Sequence, residues 1–370
     1  MVKHYLCNPL PNLSAGHENI QLYTEGDELF DAMLSAIESA QEQILMETYI
    51  FADDEVGHLF AKALSEKAKS GVQVRLLVDA LGSLFQFYGS LGPELEKAGV
   101  QVCHFQPWYW RQPLRYNRRD HRKLLVVDRK QAFLGGFNIH RQSSRRYFGI
   151  TRWRDTHTSF QGDLAKQAAE LFDAFWQDDR HWLPKEDEHA SNVLVTNQTR
   201  FCRRRLACIY EDLLGNTKQQ ICLTTPYFVP DHRTQKALLE AVKRGVNVRL
   251  LVPRTGDVRL VRWAANAVYA RLLDGGVSIF EYLPRMLHAK VMVIDGRSVM
   301  LGTANLDYRS LFQNYELNLL SRDTDLCSWL QTQFEMDVTD ASAVCATHWR
   351  RRPWIHRLAE VVGWTVRRWL

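Results

Sequence analysis

The chain has 370 residues, 46% hydrophobic and 24% charged, with a net charge of +5: a globular composition with room for two domains or two halves of one. Its seven cysteines are scattered, with no C-x-x-C pair and no metal-ligand spacing, which fits reduced thiols in a cytoplasmic setting better than a disulfide framework. No apolar run reaches the ~18 residues of a spanning helix, and the opening MVKHYLCNPLPNLSAGHEN has no apolar signal core, so the pattern is that of a soluble chain or one that rests on a membrane without crossing it.

In chain order, Leu29, Phe30, Met33, Leu34 and Ile37 recur at helical spacing, and QILMETYIF (43–51) follows as a strand. Val56, Leu59, Phe60, Ala63, Leu64 and Ala68 make the next helical stripe, which Gly71 ends at a C-cap position. VQVRLLVDALG (72–82) and AGVQVCHFQP (98–107) read as further strands. Then comes WYWRQPLRYNRRD, in which Trp108, Tyr109, Trp110 and Tyr116 interleave with Arg111, Arg115, Arg118 and Arg119. Such a mixture suits a membrane interface, or single-stranded nucleic acid, or a surface loop folded on its own aromatics.

HRKLLVVDRKQAFLGGFN (121–138) sets His121 and Lys123 two residues apart, ahead of an apolar run. In extended chain both point to one side. The pattern returns as HAKVMVIDGRSVMLGTAN (288–305): His121, Lys123, Asp128, Gly135 and Asn138 match His288, Lys290, Asp295, Gly302 and Asn305. The likeness extends outward, with ILMETYIF matching ICLTTPYF (221–228) and VQVRLLVDALG matching VNVRLLVPRTG (246–256). This is a repeat of about 170 residues, the size of a domain. Alternating strands and helices in each copy predict α/β architecture with mixed, largely parallel sheets. The join falls around QDDRHWLPKEDEHAS (177–191), which gives halves 1–180 and 181–345. The second half lacks the aromatic insertion: Pro284 precedes His288 by four residues, whereas Pro107 precedes His121 by fourteen.

Residues 348–370 hold six arginines and one glutamate, so the rest of the chain is neutral. On a helix from Trp354, the residues Ile355, Leu358, Val361, Val362, Val366 and Trp369 share its arc, with Pro353 at the start. Residues 346–370 are therefore expected to form a basic amphipathic helix that lies on an anionic surface or packs on the body with its arginines in solvent.

Two imidazoles, two ammonium groups and two amides around one point would suit a phosphodiester. Lys123 and Lys290 would neutralise its charge, while Asn138 and Asn305 would donate to its oxygens. One neutral histidine would attack phosphorus and the other, protonated, would serve the leaving alkoxide. This scheme needs no metal and no cofactor. Asp128 and Asp295 are expected to be structural, capping the turn after the strand.

These residues resemble the phospholipase D superfamily, marked by a duplicated H-x-K-x-x-x-x-D followed by G-x-x-N, over about residues 20–340. The resemblance implies two α/β/α halves packed about a pseudo-twofold axis, with the site at their interface, and a phosphohistidine intermediate. It implies an acidic residue downstream of each motif that orients the histidine: Glu316, eleven residues past Asn305, and Asp155, seventeen past Asn138. Gly136 stands where the second half has Thr303, so the first half is expected to lack one hydrogen bond to phosphate. Within the superfamily, RRDHRK, GGFN, FEYLPRMLHAKV and NLDYRSLFQNYELN are similar to bacterial cardiolipin synthases, the B type in particular, without the N-terminal membrane pair of longer members. That implies transfer of a phosphatidyl group between two phosphatidylglycerols with release of glycerol, His121 as nucleophile and His288 as acid. A hydrolase or nuclease of the same superfamily is the alternative. The implied partner is anionic phospholipid at the cytoplasmic face of a bacterial inner membrane, touched by Trp108, Trp110, Arg111, Arg115, Trp354 and Trp369, with no nucleic acid and no obligate protein partner.

Overall fold

The structure is a computed structural model that describes residues 13, 19–83, 87, 89–107, 111, 117–182, 190–198 and 204–367. The first half runs β1 (Gln21–Tyr23), α1 (Gly26–Ser39), β2 (Gln43–Thr48), α2 (Glu55–Lys69), β3 (Gln73–Asp79), α3 (Leu91–Lys97), β4 (Gln101–Phe105), β5 (Leu124–Val127), β6 (Gln131–Gly135), α4 (Arg145–Phe148), β7 (His157–Gln161) and α5 (Asp163–Trp176). The second half runs β8 (Asn192–Thr196), α6 (Arg205–Asn216), β9 (Gln220–Thr224), β10 (Phe228–Val229), α7 (His232–Lys243), β11 (Asn247–Pro253), α8 (Arg259–Asp274), β12 (Ser278–Tyr282), β13 (Val291–Ile294), β14 (Ser298–Gly302), β15 (Leu306–Asp307), α9 (Tyr308–Phe312), β16 (Leu317–Ser321), α10 (Thr324–Thr339) and β17 (Ala341–Ala343). Two further helices follow, α11 (Ala346–Arg350) and α12 (Trp354–Val366).

Among the described residues the two large sheets have the orders β1-β7-β6-β5-β2-β3-β4 and β17-β12-β11-β9-β13-β14-β16-β8. The α/β architecture and the internal duplication are as expected; within the two large sheets parallel pairing is confined to β2-β3-β4 and β9-β11-β12, and β10 and β15 form a separate parallel pair. Elsewhere in the two large sheets the pairing is antiparallel, because each motif folds as a hairpin: Leu124 faces Leu134 across β5–β6, and Val291 faces Leu301 across β13–β14. The sheets are mixed, as expected, with antiparallel pairs outnumbering parallel ones. A strand followed within a few residues by its neighbour can only turn back, whereas a parallel neighbour needs a helical crossover.

Both sheets are covered on both faces, which is why their central strands read as continuous apolar runs. Helices α1 and α2 pack with β2 and β3 in one outer core; α6, α7 and α8 pack with β9 and β11 in another. A third core lies between the sheets and joins the halves. In it α5 (Leu164, Ala168, Phe172) and α10 (Leu326, Leu330, Phe334) meet inward residues of both sheets, among them Leu45, Val126, Leu251 and Val293. The site sits where these two sheets approach.

The motif aspartates follow the same geometry in both copies. Asp128 and Asp295 each take a left-handed backbone conformation, φ 51°, in the tight hairpin turn. The Asp128 carboxylate accepts the N–H groups of Gln41, Glu42 and Gln43 at 2.8–2.9 Å. Asp295 accepts those of Lys218, Gln219 and Gln220 at 2.7–3.0 Å. Each carboxylate thus fastens its hairpin to the start of the neighbouring antiparallel strand, β2 or β9. Partial burial works against ionisation, yet the three N–H donors hold both carboxyls below their usual range. We expect Asp128→Ala to lower the unfolding free energy by about 2 kcal/mol, with Asp128→Asn milder because it tolerates the same backbone angle. The pH dependence has a definite sign. A depressed folded-state pKa gives stability that is full above the unfolded value of about 4 and is lost as pH falls through the folded one. Urea denaturation at pH 7 and pH 3 checks this: the gap between parent and variant narrows at the lower pH.

Candidate active site

The segment Asp120–Lys123 enters the fold extended but ahead of the strand ladder, which begins only at Leu124. Its alternation divides four charged side chains between two environments. Asp120 and Arg122 turn to one side. There Arg122, fully buried, donates to Glu47 (2.5 Å), Asp120 (3.1 Å) and Gln198 (3.2 Å) and lies 3.5 Å from the centre of the Phe175 ring. His121 and Lys123 turn to the other side. In the second half the corresponding inward pair is apolar, Leu287 and Ala289, both buried in the shared core.

What keeps these segments out of their own sheets is pairing with the opposite half. The His121 N–H donates to the Tyr315 carbonyl (2.9 Å), and the Tyr315 N–H to the Arg119 carbonyl (2.9 Å). In the mirror position the His288 N–H donates to the Arg154 carbonyl (2.6 Å), and the Arg154 N–H to the Met286 carbonyl (2.8 Å). Each bridge brings the next residue of one half against the histidine of the other. Glu316 lies 3.0 and 3.1 Å from His121 Nδ1, and Asp155 lies 2.5 Å from His288 Nδ1. The two acids therefore serve the histidines crosswise, each orienting the imidazole of the other motif. With Nδ1 engaged by carboxylate, Nε2 of His121 is left for chemistry, while that of His288 lies 3.1 Å from Lys290 Nζ.

The lysines complete a buried cluster. Lys123 Nζ donates to the His121 carbonyl (2.6 Å), while Lys290 Nζ lies 2.7 Å from His288 Nδ1 and 3.7 Å from the Asp155 carboxylate. Burial, and for Lys123 the charge of Lys290, lowers their pKa values to about 7 for Lys123 and about 8 for Lys290. Burial also lowers both histidines against the pull of their carboxylates, His288 to about 4. Asp155 is held below the carboxylate range: burial opposes this, but Lys290 and His288 prevail. Both imidazoles are thus neutral near pH 7, and both ammonium groups are easily discharged until an anion arrives to hold their protons.

Asn138 and Asn305 are buried beside the pairs. Asn138 Oδ1 accepts the Ile50 N–H at 3.2 Å, which leaves its NH2 as donor; Asn305 Oδ1 is buried with no partner among the described residues. Thr303 does not aim at a phosphate position. Its hydroxyl donates to Glu316 (2.5 Å) and accepts the Leu317 N–H (3.0 Å), so it positions the acid that positions His121. Gly136 is the reverse case. A Cβ there would lie 2.1 Å from Asp155 Oδ1, so the space of a side chain is taken by the carboxylate itself. The expected missing phosphate contact is therefore replaced by a difference in how the two acids are seated.

Aromatic rings wall the site, and the sequence reading passed over them. Tyr49 lies 5.0 Å from the His121 ring; Trp153 and Tyr227 lie 5.1 and 6.3 Å from that of His288, centre to centre. Tyr49 and Tyr227 stand in the repeated segments after β2 and β9, so the duplication itself marked the place. Of the expected lipid contacts, Arg111 and Trp354 are exposed, whereas Trp108, Trp110, Arg115 and Trp369 lie outside the described residues. A cavity of about 540 Å³ opens at the seam between the halves, lined by Gln106, Arg118, Arg180, Gln198 and Asn314, but none of the paired histidines and lysines lines it. The Asp155 seat yields a direct test: Gly136→Ala should leave a folded protein with an unchanged thermal midpoint within a few degrees, yet lower turnover by roughly 100-fold or more, as expected for a misplaced orienting carboxylate. Parent-like turnover would show that Asp155 can move without consequence.

The family model described as "Cardiolipin synthase, PLD-like domain" matches residues 33–176 and 210–338. Cardiolipin synthase 2 of Bacillus cereus is 35% identical over 353 residues, covering 91% of this chain and 68% of that protein. A cardiolipin synthase of Clostridium perfringens is 33% identical over 360 residues, covering 93% of this chain and 75% of its own. Among solved structures, the phosphatidylserine synthase of Haemophilus influenzae superposes with a TM-score of 0.75 at 14% identity, over 98% of both chains, which speaks to the fold alone. With duplicated His-Lys-Asn sets joined crosswise at one interface, and with relatives matched along nearly its whole length, the chain belongs to the cardiolipin synthase family of phospholipase D-like proteins.

Proposed function

We propose that this chain is a cardiolipin synthase, a phosphatidyltransferase that joins two phosphatidylglycerols and releases glycerol. The observation that carries the reading is the crossed pairing: one buried point surrounded by two carboxylate-held imidazoles, two ammonium groups and two amides. Neutral His121, held by Glu316 through Nδ1, attacks phosphorus through Nε2 and forms a P–N bond. His288, neutral in the free protein, takes up a proton once the anionic phosphodiester sits beside it, and gives that proton to the departing glycerol oxygen as the P–O bond breaks. The now neutral His288 then takes the proton of a second phosphatidylglycerol hydroxyl, whose oxygen attacks phosphorus and frees His121. One ester is exchanged for another, so no nucleotide is consumed. Lys123 and Lys290 hold the charge of the phosphoryl oxygens, and Asn138 and Asn305 donate to them.

The lipid substrate suits a protein seated peripherally on the cytoplasmic face of a bacterial inner membrane; among the described residues no helix is long and apolar enough to cross one. The direct experiment follows labelled phosphatidylglycerol to its products. Cardiolipin and free glycerol in equal amounts support the transferase. Phosphatidic acid as the main product makes water the acceptor and the chain a hydrolase. His121→Ala and His288→Ala should each cut turnover by at least about 10⁴-fold, since each removes a participant of both steps. Rapid quenching should trap phosphate on one histidine only. Adduct on neither, under conditions where phosphohistidine survives, removes the covalent route.

The pKa shifts also predict a bell-shaped profile for kcat/KM. The nucleophile must be neutral, and its pKa is lowered below 6.5, so activity falls only as pH drops under that value. The lysines must be protonated to hold phosphate, so activity falls as pH rises through about 7 to about 8, the values for Lys123 and Lys290. An alkaline limb unmoved by Lys123→Arg combined with Lys290→Arg, both of which stay charged, would assign that limb to another group.

A further inference from the structure

Both walls of the site continue into exposed apolar surface. On the first half, Trp153, which packs on His288, follows directly on α4 and a short 3-10 turn, Gly149–Thr151. Tyr147, Phe148 and Ile150 of this stretch face solvent, Ile150 with 79% of its surface exposed. On the second half, Tyr227 packs on the same imidazole and donates its hydroxyl to Asp257 at 2.6 Å. The residues that follow, Val258, Leu260 and Trp263, open α8 and are exposed as well. Two apolar turns, one from each half, therefore rise from residues that touch His288 or lie one hydrogen bond beyond.

The last helix enlarges this surface. Ring contact between Trp349 and Tyr269, and then the fit of Gly363 against Trp263 and Ala264, show α12 running back along α8 toward its start. A Cβ at Gly363 would lie 2.5 Å from the Ala264 nitrogen, so the glycine is what lets the helices close. Trp354, Leu358, Val361 and Val362 are left facing outward, Trp354 with 72% of its surface exposed. The helix thus packs on the body and keeps most of its apolar arc in solvent. Single exposed apolar residues are ordinary, but a contiguous group of this extent marks an interaction surface.

Charge identifies the partner. Residues 144–152 carry three arginines and no acid, and α8 carries three arginines before its only acid, Asp274. Residues 346–367 carry five arginines against Glu360. Arg145, Arg259 and Arg351 are exposed and form no ion pair among the described residues. Arginine interleaved with Ile, Leu and Trp matches the headgroup layer of an anionic bilayer, where each arginine strengthens binding by roughly fivefold.

We propose that the 147–150 turn and the start of α8 form a two-sided rim that seats the mouth of the active site on an anionic lipid surface, with α12 as its lateral extension. This rests on the phospholipid-substrate reading above. A mouth seated in this way lets a headgroup rise to the paired histidines while its acyl chains stay in the bilayer, so the lipid is not extracted into water.

The test uses the full chain with vesicles of phosphatidylglycerol and phosphatidylcholine, and with pure phosphatidylcholine vesicles as the neutral control. The parent should float with the anionic vesicles, less so in high salt, and remain with the soluble fraction when the vesicles are neutral. Ile150→Glu and Leu260→Glu should each weaken partition by about tenfold, the effect of withdrawing one aliphatic side chain from lipid, and their combination by more. Both should keep the parent's thermal midpoint and its turnover of a monomeric short-chain phosphatidylglycerol. Variants that bind anionic vesicles like the parent overturn the proposal. So does a parent that binds neutral vesicles equally well, or a parent dimer that the substitutions convert to monomer, since the rim would then be an interface between copies. A chain that binds as expected but leaves the short-chain lipid untouched would count against the transferase reading and leave the rim standing.

Discussion

The structure depends on an exchange of carboxylates between its halves. Glu316 holds His121 and Asp155 holds His288, so neither motif contains a complete catalytic group. The exchange is enforced by backbone: Tyr315 and Arg154 pair with the segments that lead into the opposite histidines, and the acids follow as the next residues. Further pairs reinforce the seam. Arg285 and Arg152 share Glu25, and Arg154 reaches Asp337. Breaking one partner of such a buried pair leaves an uncompensated charge, so the halves are held in register at the place where register matters.

Within that symmetric frame the two imidazoles live in different surroundings. Glu316 is itself fixed by the Thr303 hydroxyl, and behind His121 stands the ionic group of Arg122, Glu47 and Asp120. Asp155 instead occupies the space above Gly136, shares its charge with Lys290, and has apolar Leu287 and Ala289 behind its histidine. Such differences in support are what the proposed mechanism needs, since it asks two groups of the same chemistry to hold opposite protonation states.

Much of this was legible in the chain because the repeat printed it twice. The recurrence of His, Lys and Asn at fixed spacing singled out side chains that the fold buries together, and alternating apolar patterns gave helices such as Glu55–Lys69, closed by Gly71 as expected. Strand direction was less legible. Apolar runs in β5 and β2 look alike, and only the tight turn at Asp128 makes one of them the arm of a hairpin. The crossing of the acids was not legible at all, since Glu316 and His121 lie 195 residues apart and no local pattern pairs them. Thr303 was misread for the same reason: its neighbour in space is set by the seam.

The crossed acids also constrain ancestry. A single half, alone, would hold a histidine without its carboxylate, so a one-copy forerunner could work only as a pair of identical chains, each completing the other about a twofold axis. In such a pair every position is encoded once and both sites are bound to be the same. Joining two copies in one chain removed that bond. Only then could glycine be written at 136 and threonine at 303, and the two imidazoles come to sit in unlike surroundings.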